Sequence, residues 1–206
     1  MSDEELKEIV QSGYDTVSYA YRDDEDAPPQ YRPWIEQLLH EHPPGTEVLD
    51  IGCGCGVPMS KSLAESGHAV TGIDISEVQI ARARRLVPSA RFFCGDATAF
   101  PFPDRSFDLI LCLYTLWHVP LPNQESFIGR MSRWLRPGGA LLATVAVSEW
   151  EGVKDGWLEG GSRMWWGHRD LDTYRTWFDA AGFDIESDEF ISLGRGKQQA
   201  LWTRRR

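Results

Sequence analysis

Residues 48–56 read VLDIGCGCG: an apolar run interrupted by Asp50, then glycine at every second position, Gly52, Gly54 and Gly56, with nothing larger than cysteine between them. The run has the length and character of a strand covered on both faces. Bare backbone where such a strand turns toward a helix lets a ligand reach main-chain N–H groups, and the start of the next helix adds the positive end of its dipole. Asp50 places a carboxylate beside that turn. It suits a cationic amine better than a pyrophosphate. The spacing is G-x-G-x-G, and the third glycine of a dinucleotide fingerprint would fall at Val57.

Working outward, apolar runs of strand length alternate with segments of helical period. EVLDIG (47–52) precedes VPMSKSLAESG, with Pro58 in the first turn of the helix; AVTGIDI (69–75) precedes SEVQIARARRLV, where Ser76 and Gln79 have capping-box spacing. RFFCGD (91–96) and FDLILCLY (107–114) are the third and fourth strands. A helix from about Asn123 to Arg136 is stopped by Pro137-Gly138-Gly139, and ALLATVAV (140–147) is the fifth strand. Residues 148–169 show neither period and read as an inserted loop. A helix with Tyr174, Trp177, Phe178 and Ala181 on one stripe follows, then strands 183–193 and 197–204 joined by the turn Gly194-Arg195-Gly196, which is short enough only for antiparallel neighbours. The pattern predicts one α/β domain: a doubly wound, mostly parallel sheet with a reversed last strand. Residues 1–45 form a helical lead-in, 46–147 the core, 148–170 a loop, and 171–206 the last helix and hairpin. Ligands of such sheets sit at the carboxyl ends of the strands, which gathers the glycines, Asp74, Asp96 and residues 113–118 around one cleft.

With 21 basic against 31 acidic side chains the net charge is -10, a repulsive average field for a phosphate backbone or an anionic leaflet. No stretch approaches a membrane span and the acidic N-terminus lacks a leader pattern, so the chain reads as soluble and cytoplasmic, with neither nucleic acid nor membrane as partner. Cys53, Cys55, Cys94 and Cys112 show no C-x-x-C pair and the histidines no ligand spacing. They read as buried thiols without a metal site. Most of the nine tryptophans are expected to serve the core, and any left exposed would favour a homodimer.

VLDIGCGCG, then GIDIS, then GDATAFPFPDRSFDLILC, then LRPGG, in that order and spacing, resemble the class I S-adenosylmethionine-dependent methyltransferases over residues 45–147. The resemblance implies a Rossmann-like seven-stranded sheet with an antiparallel last strand. It implies S-adenosyl-L-methionine as cofactor and S-adenosyl-L-homocysteine as product. It assigns Gly52, Gly54 and Gly56 to the methionine moiety with Asp50 near its amino group, and Asp74 to the ribose hydroxyls. Ile75 and Gln79 fall on the adenine and ribose sides, Asp96 and Ala97 at the adenine amino edge, and Leu113 along the methionine chain. Tyr14, Tyr19 and Tyr21 resemble the tyrosines of lid helices in small-molecule members.

A sulfonium methyl is already electrophilic, so the acceptor pocket carries the specificity. The family's D/N-P-P-Y/F run, which marks transfer to nitrogens of nucleic acid and protein, is replaced by CLYT at 112–115, and the acidic charge points the same way, to a small-molecule acceptor. An oxygen nucleophile, phenolic hydroxyl or carboxylate, on an aromatic or planar molecule is the expectation. A carbon or amine nitrogen acceptor and a nicotinamide-dependent oxidoreductase are the alternatives. Trp117 and His118 follow the fourth strand, with His118 the candidate base or hydrogen-bond donor; Trp165, Trp166 and His168 would wall the acceptor. Arg22 and Arg163 could pair with an acidic substrate, but both are read as solvated.

Overall fold

A computed structural model describes residues 1–25, 28–158, 161–191 and 198–206. Strand β1 (Glu47–Ile51) pairs in parallel with β2 (Ala69–Asp74) on one side and with β4 (Phe107–Cys112) on the other; β3 (Arg91–Cys94) flanks β2, and β5 (Leu135–Ala146) flanks β4. Two antiparallel strands complete the sheet, β8 (Phe183–Ile191) and β9 (Gln198–Arg205), with β9 inserted between β5 and β8. The order β3-β2-β1-β4-β5-β9-β8 is the seven-stranded sheet expected, with its switch point between β1 and β4. The turn Gly194-Arg195-Gly196 lies outside the described residues.

Alternation along each strand supplies the two layers. Leu49 and Ile51 of β1, Ile110 and Cys112 of β4 and Leu141 and Ala143 of β5 face helices α5 (Leu121–Trp134) and α6 (Leu171–Ala180), burying Phe127, Met131, Tyr174 and Phe178. Val48, Leu109, Leu111 and Leu142 face the other way, against α2 (Tyr31–Glu41) and α3 (Met59–Glu65), where Trp34, Leu38 and Leu63 are buried. Helix α4 (Glu77–Leu86) covers β2 and β3 with Ile80 and Ala83. Because β3 is the edge strand, Cys94 is exposed rather than buried; the other three cysteines are buried, and all four are free.

Residues 148–169 are not the loop expected. They form an antiparallel hairpin of β6 (Trp150–Trp157) and β7 (Ser162–His168), with Val153 opposite Trp165 and Trp150 opposite His168. Its period is hidden because Gly152, Gly156 and Gly167 break the alternation, and because the ribbon packs on a helix instead of extending the sheet. That helix is α1 (Asp3–Tyr21), opened by a Ser2/Glu5 capping box, whose Leu6 and Val10 bury against Met164 and Trp165. At Gly13 a Cβ would stand 2.7 Å from Arg163 O, so glycine is what lets α1 lie this close to β7. The 1–45 lead-in thus divides: α2 belongs to the core layer, whereas α1 and the hairpin lie together over the carboxyl ends of the strands.

Candidate functional site

The cleft at the switch point opens with the glycines. Gly52 and Gly54 adopt φ of 69° and 54°, the left-handed region that disfavours side chains. A Cβ on Gly52 would fall 1.9 Å from Thr115 Oγ1, so the β1 turn closes onto the β4 turn only without one; at Gly54 the nearest atom, Gln79 Cδ, is 4.0 Å away and the space is open. Gly56 does not reach the cleft. Its missing Cβ would meet Val87 and Phe92 at 3.2 and 3.4 Å, so it serves the packing of the α4 layer.

Asp74 ends β2 facing Gly54. Gly54 N donates to its Oδ2 and Ser76 N to its Oδ1, both at 2.9 Å. Burial raises this carboxyl above its ordinary value against those two backbone bonds, and each oxygen keeps a lone pair for a further donor. Gln79 is buried with its Oε1 unpartnered among the described residues, while its backbone N–H is capped by Ser76 Oγ. Gly54, Asp74 and Gln79 line a cleft of about 790 Å³ together with Ile75, Ala97 and Leu113. Asp96 lies there too, paired with Lys7 of α1 at 2.8 Å and accepting from Thr98; burial pulls its carboxyl upward, but these partners outweigh that and hold it low.

A second cavity of about 470 Å³ shares Gly52, Gly54, Gln79, Leu113 and Tyr114 with the first. At its floor Asp50 is buried, takes a 2.6 Å bond from Ser60 Oγ and is pushed up to about 6 by burial. Arg22 faces the same cavity. It is buried, contrary to the solvated reading, with its guanidinium 5.0 Å from the Tyr31 ring and bonded to Tyr31 Oη. An acid and a guanidinium beside a bare glycine turn complement an amino-acid zwitterion. The sequence alone leaves Arg22 read as solvated because its burial depends on the packing of Tyr31 from α2 against it.

Over the cleft, the turn of 3₁₀ helix at Leu116–His118 presents His118. Its Nδ1 lies 2.9 Å from Trp165 O and its Nε2 3.0 Å from Tyr14 Oη. A carbonyl accepts only, so Nδ1 carries the proton and the Nε2 lone pair accepts from Tyr14 Oη. Burial pushes this imidazole down to about 4, which keeps it neutral near pH 7. Tyr14 and Tyr21, seven residues apart on α1, face the cleft beside it. Tyr19 does not. Five residues from Tyr14 it turns off that face, 60% exposed, with its ring 3.9 Å from the Arg82 guanidinium.

Trp165 and Trp166 do not act as a pair, because neighbours on a strand point to opposite sides. Trp165 is fully buried against α1 and contributes its backbone carbonyl, while Trp166 packs 5.8 Å from the His118 ring. Trp117 and His168 lie outside the main cleft, in a shallower depression with Trp150 and Trp166. Arg163 is exposed and paired with Asp155. Among the described residues no group of three or more metal-ligating side chains converges.

A doubly wound sheet whose first strand ends in a bare glycine turn and whose second ends in an acid with free lone pairs defines an α/β protein of the nucleoside-cofactor-binding class. Residues 48–139 match the family model described as a methyltransferase domain. That match spans somewhat less than half of the chain and agrees with the resemblance to the class I S-adenosylmethionine-dependent methyltransferases. It is 40% identical over 111 residues to a 2-methyl-6-phytyl-1,4-hydroquinone methyltransferase of Synechocystis sp., covering 52% of this chain and 33% of that protein. It is 40% identical over 159 residues to a 27-O-demethylrifamycin SV methyltransferase of Amycolatopsis mediterranei, covering 72% and 57%. The matched segments therefore span a third to just over half of these relatives. A magnesium protoporphyrin IX methyltransferase structure from Synechocystis, with bound S-adenosylmethionine, superposes with a TM-score of 0.76 over 98% of this chain and 97% of that one at 19% identity, a likeness of fold. The cofactor of this family, S-adenosylmethionine, fits the residues present: open space at Gly54, spare acceptor capacity on Asp74, the unpartnered Gln79 Oε1, and Asp50 with Arg22 in the adjoining cavity.

Proposed function

We propose that this protein transfers the methyl group of S-adenosylmethionine to an oxygen atom of a small, planar acceptor. The observation that carries the reading is His118, a neutral imidazole in the cleft whose Nε2 is held as a hydrogen-bond acceptor by the Nδ1 contact to Trp165 O. The bound cofactor supplies an electrophilic methyl on a cationic sulfur. The chain supplies the rest. Gly52, Gly54 and Asp50 with Arg22 would hold the methionine end, Asp74 and Gln79 the ribose, and Ile75, Asp96 and Ala97 the adenine side. Leu113 would lie along the methionine chain. Helix α1 and the β6–β7 hairpin exclude water from above, and Tyr14 and Tyr21 offer aromatic faces to an acceptor in the cleft.

Neutrality of the buried imidazole supports this role. A charged His118 beside a cationic donor would be costly, whereas an acceptor proton reaching it as the methyl leaves moves one positive charge from donor to ring without adding a second. The identity to the 27-O-demethylrifamycin relative over most of this chain favours oxygen. Transfer of labelled methyl to a panel of phenols, aromatic acids and amines tests the assignment, with calorimetric titration by S-adenosylhomocysteine and by NAD alongside. Methylation confined to amines would reject the oxygen reading. Heat with NAD and none with S-adenosylhomocysteine would reject the methyltransferase reading.

A further inference from the structure

We propose that Tyr14 is a proton-relay residue, passing the acceptor's proton to His118 in place of direct abstraction by the imidazole; the proposal rests on the transfer to oxygen argued above. A neutral imidazole has one in-plane lone pair. With Nδ1–H committed to Trp165 O, that lone pair is on Nε2, and Tyr14 Oη already lies 3.0 Å from it. The phenol therefore donates to Nε2, and an acceptor hydroxyl has no free site on the base.

Tyr14 is not placed to swing aside. Its ring stands edge-on to Tyr21 at 5.3 Å, to Trp157 at 5.3 Å and to His118 at 5.4 Å. The next residue, Asp15, accepts from Ser76 Oγ at 2.5 Å and caps α4, so the α1 backbone at this point is tied to the core. Further along, Arg82 donates to Ser18 O and Arg22 O at the end of the same helix. What remains is the phenolic oxygen, which lines the cleft beside the Tyr21 hydroxyl and has lone-pair capacity to accept a hydrogen bond while donating its own.

The step balances without any other reactant. As the acceptor oxygen forms its bond to the methyl carbon, the carbon–sulfur bond breaks and its electron pair stays on sulfur. The acceptor's proton passes to Tyr14 Oη, and the Tyr14 proton passes to His118 Nε2. Tyr14 ends unchanged, the donor becomes a neutral thioether, and the imidazolium later returns its proton to water.

Two measurements test this on the full chain. In the cofactor-free protein labelled with ¹⁵N-histidine, Tyr14→Phe keeps the ring packing and removes only the donor, so the His118 Nε2 resonance moves toward that of an unbonded pyridine-type nitrogen. If Tyr14→Phe does not fold, 3,5-difluorotyrosine in place of Tyr14 strengthens the donor and moves the resonance the opposite way. A resonance indifferent to either change overturns the proposal. In single-turnover methyl transfer to a phenol, wild type gives a bowed rate dependence on the deuterium fraction of the solvent, from two protons in flight. Tyr14→Phe is slower by roughly 10²-fold or more, with a linear dependence and S-adenosylhomocysteine affinity within about twofold of wild type, a positioning readout that a packing defect would not leave intact. An unchanged rate with a bowed dependence in the variant overturns the relay alone. Transfer only to nitrogen or carbon acceptors, with the nitrogen resonance behaving as expected, overturns the relay together with the oxygen reading.

Discussion

Two carboxylates in adjoining cavities are both raised by burial but differ in their partners. Asp74 is satisfied by two backbone N–H groups, and its value lies in what else it can accept. Asp74→Ala is expected to weaken S-adenosylhomocysteine binding by about tenfold or more, the loss of a charge-assisted pair of bonds; calorimetry measures it, and an unchanged dissociation constant removes the ribose role. Asp50 is buried with one hydroxyl partner and titrates at about 6. An acid whose folded value lies above its unfolded one, about 3.9, binds its proton more tightly in the folded state. Its contribution is therefore most favourable at low pH and is lost as pH rises from about 4 to 6, by roughly 3 kcal/mol in total. Asp50→Asn keeps an acceptor for Ser60 and removes the ionisation. The cofactor-free variant is expected to melt higher than wild type at pH 7.5 with the gain gone near pH 4, and to bind S-adenosylhomocysteine more weakly. A variant less stable than wild type at pH 7.5 would contradict the burial cost assigned to this group.

At the scale of elements, the site is closed by two pieces that do not belong to the sheet, α1 and the β6–β7 hairpin, and their junction is narrow. Gly13 faces Met164 Cε at 2.6 Å and Arg163 O at 2.7 Å from where a Cβ would sit. Methionine can shift but the carbonyl cannot, so Gly13→Ala is expected to destabilise the helix–hairpin contact by about 1–3 kcal/mol, the range for overpacking. Amide exchange should show the loss in α1 and β7 with the β1–β4 core unaffected. Uniform loss of protection would mean that the lid and core unfold together. The hairpin also explains why its role was hard to read in advance. Period-2 patterning reports burial against a flat sheet, and Trp165 and Met164 are buried against a helix instead, so neighbours on both faces are apolar and the alternation disappears.

For the whole molecule, cofactor binding is expected to be coupled to the seating of α1 over the cleft. Lys7 on Asp96, Asp15 on Ser76 and Tyr14 on His118 fasten α1 across the cleft that the cofactor would fill. Ligand held only by the folded, closed chain stabilises it by mass action, about 2.7 kcal/mol at a hundredfold excess over the dissociation constant. S-adenosylhomocysteine should accordingly raise the melting temperature in a concentration-dependent way and slow proteolysis within residues 3–21. Protection without any thermal shift would separate lid closure from binding.

The alternation of strands and helices, the glycine turn and the acid 22 residues beyond Gly52 were legible in the chain itself, because parallel strands buried on both faces must be apolar throughout and a backbone cradle must lack side chains. Local chemistry of that kind is written residue by residue. Which aromatic side chains face the cleft was not. Tyr14 and Tyr19 look alike in sequence and part company only through helical rotation; Trp165 and Trp166 are split by the pleat; Arg22 is buried where the end of α1 meets Tyr31 of α2. The tautomer of His118 depends on a carbonyl 47 residues away on β7. Contacts between distant segments are set by packing geometry rather than by any one segment's composition, so the glycine turn and the acid at the end of β2 were readable from the amino acids, and which side chains stand around the cleft was decided by the tertiary fold.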